Sequence, residues 1–291
     1  MEINLKFTHQ VYLNGTFVPK DQAKISIFDR GLSFSDGVYE VIPAYANKFV
    51  EFDQHLDRLK FGLNQLEIPI PEVDWKKVAQ ELIRIHKPDT FMMYLAITRG
   101  ETPLRNHLYR ETIVKPTTFA YLQPILDLKH PQNQKPITAI TCEDIRWLRC
   151  EIKSIGLLPN ILWRQKAHDQ GAGEAIFIRD GRVMEGTSTN VFICTNGTVK
   201  TPKANGKILD GVTRRIFLQL TKLAGLDCLE TDIFRDELFA AEEVWVTSST
   251  RGATAVTAID GKAIGRGEPG PVTFQLKNDY SKYVSEKGSF I

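Results

Sequence analysis

The chain has 291 residues, a hydrophobic fraction of 42% and a net charge of +2 from 37 basic and 35 acidic residues. That length and composition support one large domain or two moderate ones, each with a real core. The near balance of charge argues against a nucleic-acid footprint or a membrane patch, and no apolar run reaches the length of a membrane span.

Taken in chain order, residues 1–10 mix polar and apolar side chains and lack the apolar core of a secretion signal. Asn14-Gly15 sits between two short strand-like runs and predicts a tight hairpin turn. Asp180-Gly181, Asn196-Gly197 and Asp260-Gly261 predict three more. Both Asn-Gly pairs also read Asn-x-Thr, but without a secretion signal the turn reading takes precedence over glycosylation. Asp53 is expected to cap a helix carrying Leu56, Leu59, Leu63 and Leu66 on one face. Residues 74–87, Leu157–His168, Thr213–Ala224 and Thr273–Val284 are further predicted helices. Phe91–Thr98, Thr117–Leu122, Ile137–Thr141, Glu174–Ile178, Asn190–Cys194 and Glu243–Thr247 read as strands. The mixture of hairpins and helices argues for an α+β fold rather than a regular βαβ array. Residues 123–135 are rich in proline and poor in periodic apolar residues. The expected division is a small N-terminal domain over 1–122, a linker over 123–135 and a larger C-terminal domain over 136–291.

Cys142, Cys150, Cys194 and Cys228 form no C-x-x-C pair and read as reduced, mostly packed thiols of a cytoplasmic protein. Six scattered histidines show no metal-ligand spacing, so no metal site is expected. Gly265-Arg-Gly-Glu-Pro-Gly270 matches G-x-G-x-x-G. It is read as a turn before the last helix, because no βαβ unit can follow it.

The stretch Cys142-Glu-Asp-Ile-Arg-Trp-Leu-Arg-Cys-Glu-Ile-Lys-Ser154 holds one lysine, Lys153, downstream of Arg146 and Arg149. Neighbouring cations favour a neutral, nucleophilic amine that condenses with carbonyls. The segment resembles the lysine region of the class IV pyridoxal-phosphate aminotransferases, and most of all that of their D-amino acid branch. The resemblance continues in order through Asp29-Arg-Gly31, Ser35-Asp-Gly-Val-Tyr-Glu40, Gln54-His-Leu-Asp-Arg-Leu59, Glu185-Gly-Thr-Ser-Thr-Asn190, Leu209-Asp-Gly-Val-Thr-Arg214 and Val246-Thr-Ser-Ser249. It implies a two-domain fold type IV enzyme, with a smaller N-terminal α/β domain, a larger barrel-like C-terminal one, and the cofactor in the cleft between them.

The same resemblance assigns roles. Lys153 is implied as the Schiff-base lysine that also moves the substrate proton. Glu185 is implied as the partner of the pyridine nitrogen. Val212, Thr213, Ser248 and Ser249 are implied to cup the phosphate, with Arg58 supplying charge. Tyr39 is implied beside the lysine and the cofactor hydroxyl. His55 and Arg146 are implied near the cofactor, with a core or surface role open for both. Arg105 and His107, in the loop after Thr98-Arg-Gly100, match the Arg-x-His that grips the substrate carboxylate in the D-amino acid branch. In the family that loop serves the neighbouring subunit, which implies a homodimer.

Two departures stand out. Leu104 looks inserted before Arg105, and Arg251-Gly-Ala-Thr-Ala255 replaces a family segment with an acid and a proline. The expected function is transfer of an amino group between D-amino acids, such as D-alanine and D-glutamate, and 2-oxo acids, such as pyruvate and 2-oxoglutarate. Branched-chain L-amino acid transamination is the alternative. Aminodeoxychorismate lysis and R-amine transamination are further class IV activities that the shared cofactor residues do not separate.

Overall fold

Asn14 and Gly15 both take positive φ, 47° and 96°, and turn the chain between β1 (Gln10–Leu13) and β2 (Thr16–Pro19). The structure, a computed structural model, describes residues 9–110 and 115–291. These fall into two compact units. The first holds the residues up to Leu126, together with Ile152–Gly156 and Lys287–Ile291, and the second holds the rest.

The first unit continues with α1 (Arg30–Phe34), β3 (Gly37–Tyr45), β4 (Lys48–Phe49), α2 (Phe52–Gln65), α3 (Trp75–His86), β5 (Phe91–Thr98) and β6 (Thr117–Pro124). Its sheet runs β2-β1-β6-β5-β3-β4 and is antiparallel throughout. Leu59 and Leu63 of α2, and Val78 and Leu82 of α3, pack in one core with Phe49, Phe91, Met93 and Leu95 of the sheet. Burial of such side chains stabilises by about 1.5–3 kcal/mol each. Asp74 caps α3 by accepting the Lys77 N–H at 3.2 Å. Asp53 does not cap α2. Glu51, in the left-handed conformation at φ 52°, holds that place without a side-chain bond to the helix amides, its carboxylate accepting instead from Gln54, and Asp53 lies in the first turn, paired with Lys76 at 2.9 Å. Gly100 ends the turn after β5 at φ 101°, where a Cβ would collide with the Lys115 carbonyl.

The second unit comprises α4 (Pro131–Gln134), β7 (Ile137–Glu143), α5 (Leu158–Asp169), β8 (Glu174–Arg179), β9 (Arg182–Gly186), β10 (Asn190–Thr195), β11 (Thr198–Thr201) and α6 (Val212–Leu223). It ends with β12 (Asp227–Glu230), α7 (Arg235–Ala240), β13 (Glu243–Ser248), β14 (Gly252–Ile259), β15 (Lys262–Ala263) and α8 (Pro271–Lys287). Its sheet runs β12-β11-β10-β13-β14-β7-β8-β9, with β15 on β14. Strand β9 at one end returns against β10, so the sheet curls into a partial barrel. Trp245 stacks on Phe192 at 5.5 Å at its centre, and Phe217 of α6 stacks on Tyr280 of α8 at 5.2 Å. The Asp-Gly and second Asn-Gly turns join β8 to β9, β10 to β11 and β14 to β15, and the 265–270 segment is a turn before α8.

The segment expected as a linker is different. Residues 123 and 124 complete β6, where Met92 and Phe91 pair with them, and residues 131–134 form α4 on a proline at its first position. Lys153 also does not group with the C-terminal unit. Its five-residue segment joins the first, because Val38 bridges Ser154 and the Ile155 N–H donates to the Gly37 carbonyl at 3.1 Å.

Candidate active site

Strand β3 organises the first group of residues. Successive side chains on a strand point to opposite faces, so Tyr39 and Glu40 diverge. The Tyr39 N–H donates to the Lys153 carbonyl at 3.0 Å, and the Lys153 Nζ sits 4.3 Å from the Tyr39 ring centroid. Tyr39 stacks in turn on Tyr94 at 5.5 Å, and Tyr94 on Tyr121 at 5.1 Å. Burial pushes the Tyr94 and Tyr121 phenols up. These rings stay neutral and form a rigid wall.

On the other face Glu40 is fully buried and receives two residues of α2. His55 and Arg58 stand three apart on one helix face. Arg58 donates from Nε and Nη2 to the Glu40 carboxylate at 2.7 and 2.8 Å, and the His55 Nδ1 lies 2.8 Å from it. Burial pushes the Glu40 carboxyl up, but Arg58 and then His55 outweigh it and hold the group well below the carboxylate range. His55 is lowered by burial first, with Arg58 and Lys153 adding to that and Glu40 opposing it. A neutral imidazole donating from Nδ1 to an ionised Glu40 satisfies all three groups. Arg58 thus engages a carboxylate that the sequence reading did not assign.

The Arg105 loop is ordered by a largely buried acid. Asp36 accepts from Arg30 at 2.8 Å and from Arg99 at 2.7 Å. The Arg30 Nη1 reaches on to the Asn106 carbonyl at 2.5 Å. Arg30 and Arg105 each lie 4.6 Å from the Phe34 ring centroid, and His107 lies 5.2 Å from it. Arg105 and His107 are brought together around one ring, with both side chains exposed, and Leu104 is 77% exposed beside them.

In the second unit Glu185 ends β9, buried. It accepts from the Arg146 Nη1 at 2.5 Å, from the Asn190 Nδ2 at 3.1 Å and from the Leu209 N–H at 3.1 Å. Burial pushes its carboxyl up, against the pull of Arg146. Arg146 also binds Asp144 at 2.8 Å, and Arg149 pairs with Glu151 at 2.5 Å. The two cations upstream of Lys153 are therefore matched by carboxylates, which removes the sequence argument that they depress the lysine. Gly211 precedes α6 and makes no side-chain cap to the first turn, which begins with Val212 and Thr213. Thr213 Oγ1 lies 3.4 Å from Ser249 Oγ, with Ser248 beside it at the end of β13.

Two residue sets stand out chemically: a lysine against an aromatic wall, and a buried carboxylate with an uncapped helix start in the second unit. The profile of the amino-transferase class IV family matches residues 37–259. The chain belongs to the class IV amino-transferases. As a class IV aminotransferase it is 41% identical to D-alanine aminotransferase of Bacillus licheniformis over 266 residues, 91% of this chain and 93% of the relative. It is 35% identical to D-alanine aminotransferase of Staphylococcus haemolyticus, over 96% of this chain and 99% of that one. Among solved structures, the branched-chain aminotransferase of Thermoproteus uzoniensis with norvaline superposes at a TM-score of 0.85 with 23% identity, covering 96% of this chain and 97% of that one. A PLP-bound hypothetical aminotransferase from Mycobacterium tuberculosis gives 0.83 with 22% identity, covering 96% and 99%. At those identities the likeness establishes the fold, type IV.

Class IV aminotransferases depend on pyridoxal phosphate. The residues of this chain fit such a group on their own terms. The α6 start offers amides and two hydroxyls to a phosphate. Glu185 is a buried acceptor suited to a protonated ring nitrogen. The donor set of a metal centre differs: among the described residues no three His, Cys, Asp or Glu side chains converge to hold an ion. Burial holds three thiols in the protonated form, with Cys142 pushed up to about 12 and Cys150 and Cys194 to about 11. Among the described residues no helix is long and apolar enough to cross a membrane.

Sequence reading missed Glu40, Asp36, Asp144 and Asn190 as partners. The signal for Glu40 was present: a glutamate inside a strand needs a buried cation, and the His-x-x-Arg of α2 supplies one.

Proposed function

We propose that this class IV aminotransferase transfers the amino group between D-amino acids, D-alanine and D-glutamate among them, and 2-oxo acids. The observation that carries this reading is the 41% identity to a D-alanine aminotransferase over 91% of this chain and 93% of that relative. Bound pyridoxal phosphate supplies the electron sink and carries the amino group between the two substrates.

The chain's own residues then divide the work. Lys153 would hold the cofactor, and its amine would take the proton from the substrate Cα and return one as acid. Tyr39 holds the lysine amine over its ring and presents its phenol beside it. Glu185 keeps a proton on the ring nitrogen. The amides of Val212 and Thr213 and the hydroxyls of Thr213, Ser248 and Ser249 receive the phosphate, with Arg58 as its positive charge. Arg105 and His107 clamp the substrate carboxylate, and they do so for the neighbouring copy in a homodimer. The alternating use of one cofactor gives ping-pong kinetics. We place the protein in the cytoplasm, with its thiols reduced.

One experiment tests the assignment. Purified enzyme is mixed with D-alanine, then with L-alanine or L-leucine, and its visible spectrum is followed. D-alanine should convert the bound cofactor to the amine form and release pyruvate. A faster conversion by L-leucine would replace this reading with branched-chain transamination.

A further inference from the structure

Arg251 is unlike the other arginines that lie below the surface. Every other arginine among the described residues that is not exposed sits within 3.3 Å of a carboxylate, as Arg30 does on Asp36 and Arg214 on Glu230. Arg251 is half-buried, and among the described residues it pairs with no carboxylate. Its Nε is shielded from solvent and has no hydrogen-bond partner. A guanidinium cannot shed its charge in a protein, so burying one without a partner is costly.

Its surroundings deepen the imbalance. Burial, then the Arg164 charge, disfavour the Arg251 cation, and Glu174 alone favours it. Lys277 of α8 lies in the same field, where burial first and then Arg251 disfavour its charge. Glu174 is already committed. It accepts from the Thr187 hydroxyl at 2.5 Å, the Thr189 hydroxyl at 3.0 Å and the Ala175 N–H at 2.9 Å, and it pairs with Arg164 at 3.3 Å. Arg164 and Arg251 therefore share one occupied carboxylate, while the Lys277 amine donates to the Asn133 carbonyl at 2.6 Å.

Position bears on which anion could meet this guanidinium. Arg251 closes a turn on Ser248, its N–H 3.4 Å from the Ser248 carbonyl, two residues after the second of the serines proposed to meet the phosphate. Glu174 fixes the Thr187–Thr189 loop, which begins two residues past Glu185. Arg251 thus follows one loop of proposed cofactor residues and lies in the field of the glutamate that fixes the loop after Glu185. A planar guanidinium matches a carboxylate through two parallel bonds. We propose that Arg251 binds the side-chain carboxylate of a dicarboxylic substrate, so that D-glutamate and 2-oxoglutarate are favoured over alanine and pyruvate. This rests on the transaminase reading above.

The test compares wild type with Arg251→Met and Arg251→Lys. Steady-state kcat/KM is measured for D-glutamate and D-alanine, and the Kd of glutarate and of butyrate by calorimetry. Arg251→Met should lose about tenfold to a hundredfold on D-glutamate and on glutarate, the range for one charge-assisted contact. D-alanine and butyrate should change by no more than about threefold, with Arg251→Lys in between. Equal losses on both amino acids would overturn the proposal and assign Arg251 to the α-carboxylate. No loss on either overturns it as well. If the wild type turns over neither D-amino acid, the transaminase reading fails. The glutarate-to-butyrate ratio in wild type and Arg251→Met still decides the role of Arg251.

Discussion

The Lys153 Nζ lies 4.3 Å from the centroid of the Tyr39 ring, while the Lys153 carbonyl accepts the Tyr39 N–H at 3.0 Å. One residue thus fixes both ends of the lysine, its backbone through β3 and its amine over an aromatic face. A cation over such a face gains about 0.5–2 kcal/mol, the upper end where water is excluded. The arrangement holds the amine before any substrate arrives.

Lys153→Ala should therefore lose the visible absorption of the lysine-bound cofactor and all multiple turnover. Borohydride reduction of the wild type, followed by peptide mapping, should place the label on the peptide that holds Lys153. Tyr39→Phe keeps the ring and the backbone bond, so its label should stay on the same peptide even as turnover slows. A label on any other lysine removes Lys153 from its assigned role.

The Glu40 cluster makes a prediction about stability. Removing the Arg58 guanidinium, as in Arg58→Met, takes the strongest partner from a fully buried carboxylate and leaves His55 to hold it. Breaking a buried pair from one side costs about 3–5 kcal/mol. The pH dependence has a definite sign. Both His55 and Glu40 titrate lower in the folded protein than their ordinary values of 6.5 and 4.5. A group lowered by folding contributes stability that is complete above its unfolded value and lost as pH falls toward its folded one. Melting temperature should fall as pH drops below about 6.5, with a steeper fall in the carboxylate range. His55→Asn should flatten the first part of that curve and leave the second.

Glu185 and Arg146 form the corresponding pair in the second unit. Glu185→Gln keeps the shape and the Leu209 N–H bond but cannot hold a proton on a ring nitrogen by charge. The variant should retain cofactor and abstract the substrate proton far more slowly, read as a lost deuterium exchange rate at Cα. A wild-type exchange rate would exclude Glu185 as the ring partner. Arg146→Met should act differently. It leaves Glu185 without a cation and Asp144 with Arg179 alone, at 2.9 Å, so it should destabilise the fold as well as slow the reaction.

Much of this molecule was legible in the sequence where local chemistry decides structure. Asn14-Gly15 and its three counterparts mark hairpins because few residue pairs tolerate positive φ, and the apolar run Phe91–Thr98 gives β5 its full length. Asp53 misled because a capping residue two positions upstream, Glu51, took the left-handed conformation instead. The linker over 123–135 misled because Pro124 ends β6 and Pro131 starts a helix, both positions where proline needs no N–H. The site residues carried by motifs were named. Their partners were not, because Glu40 on Arg58, Asp36 on Arg99 and Asp144 on Arg146 are tertiary pairings or local bends that no spacing rule announces. The absence of a carboxylate partner for Arg251 among the described residues is likewise visible only once the fold is built.

The carboxylate clamp gives the last prediction and the strictest one. Arg30 and Arg105 both lie 4.6 Å from the centre of Phe34, and Arg30 also holds the Asn106 carbonyl. Phe34 is therefore the post around which the loop is set, despite the extra Leu104. Proton removal requires the substrate Cα–H bond to face the Lys153 amine, so a carboxylate fixed on one side decides which enantiomer reacts. D-alanine should outrun L-alanine by a wide margin. Arg105→Ala should reduce D-alanine kcat/KM by about tenfold to more than a hundredfold, the worth of one charge-assisted contact at about 1.5–3 kcal/mol. An R-amine, which has no carboxylate, should react at the wild-type rate. Phe34→Ala should copy the Arg105→Ala defect with a smaller effect, because it loosens Arg105 without deleting it. Mixing Lys153→Ala with Arg105→Ala chains should restore part of the activity, since one of the two mixed sites then holds both the lysine and the clamp. Failure of that recovery, with subunit exchange shown by mass tagging, places the clamp in the same copy as the lysine. An Arg105→Ala enzyme with an unchanged D-alanine rate removes the clamp from this loop altogether.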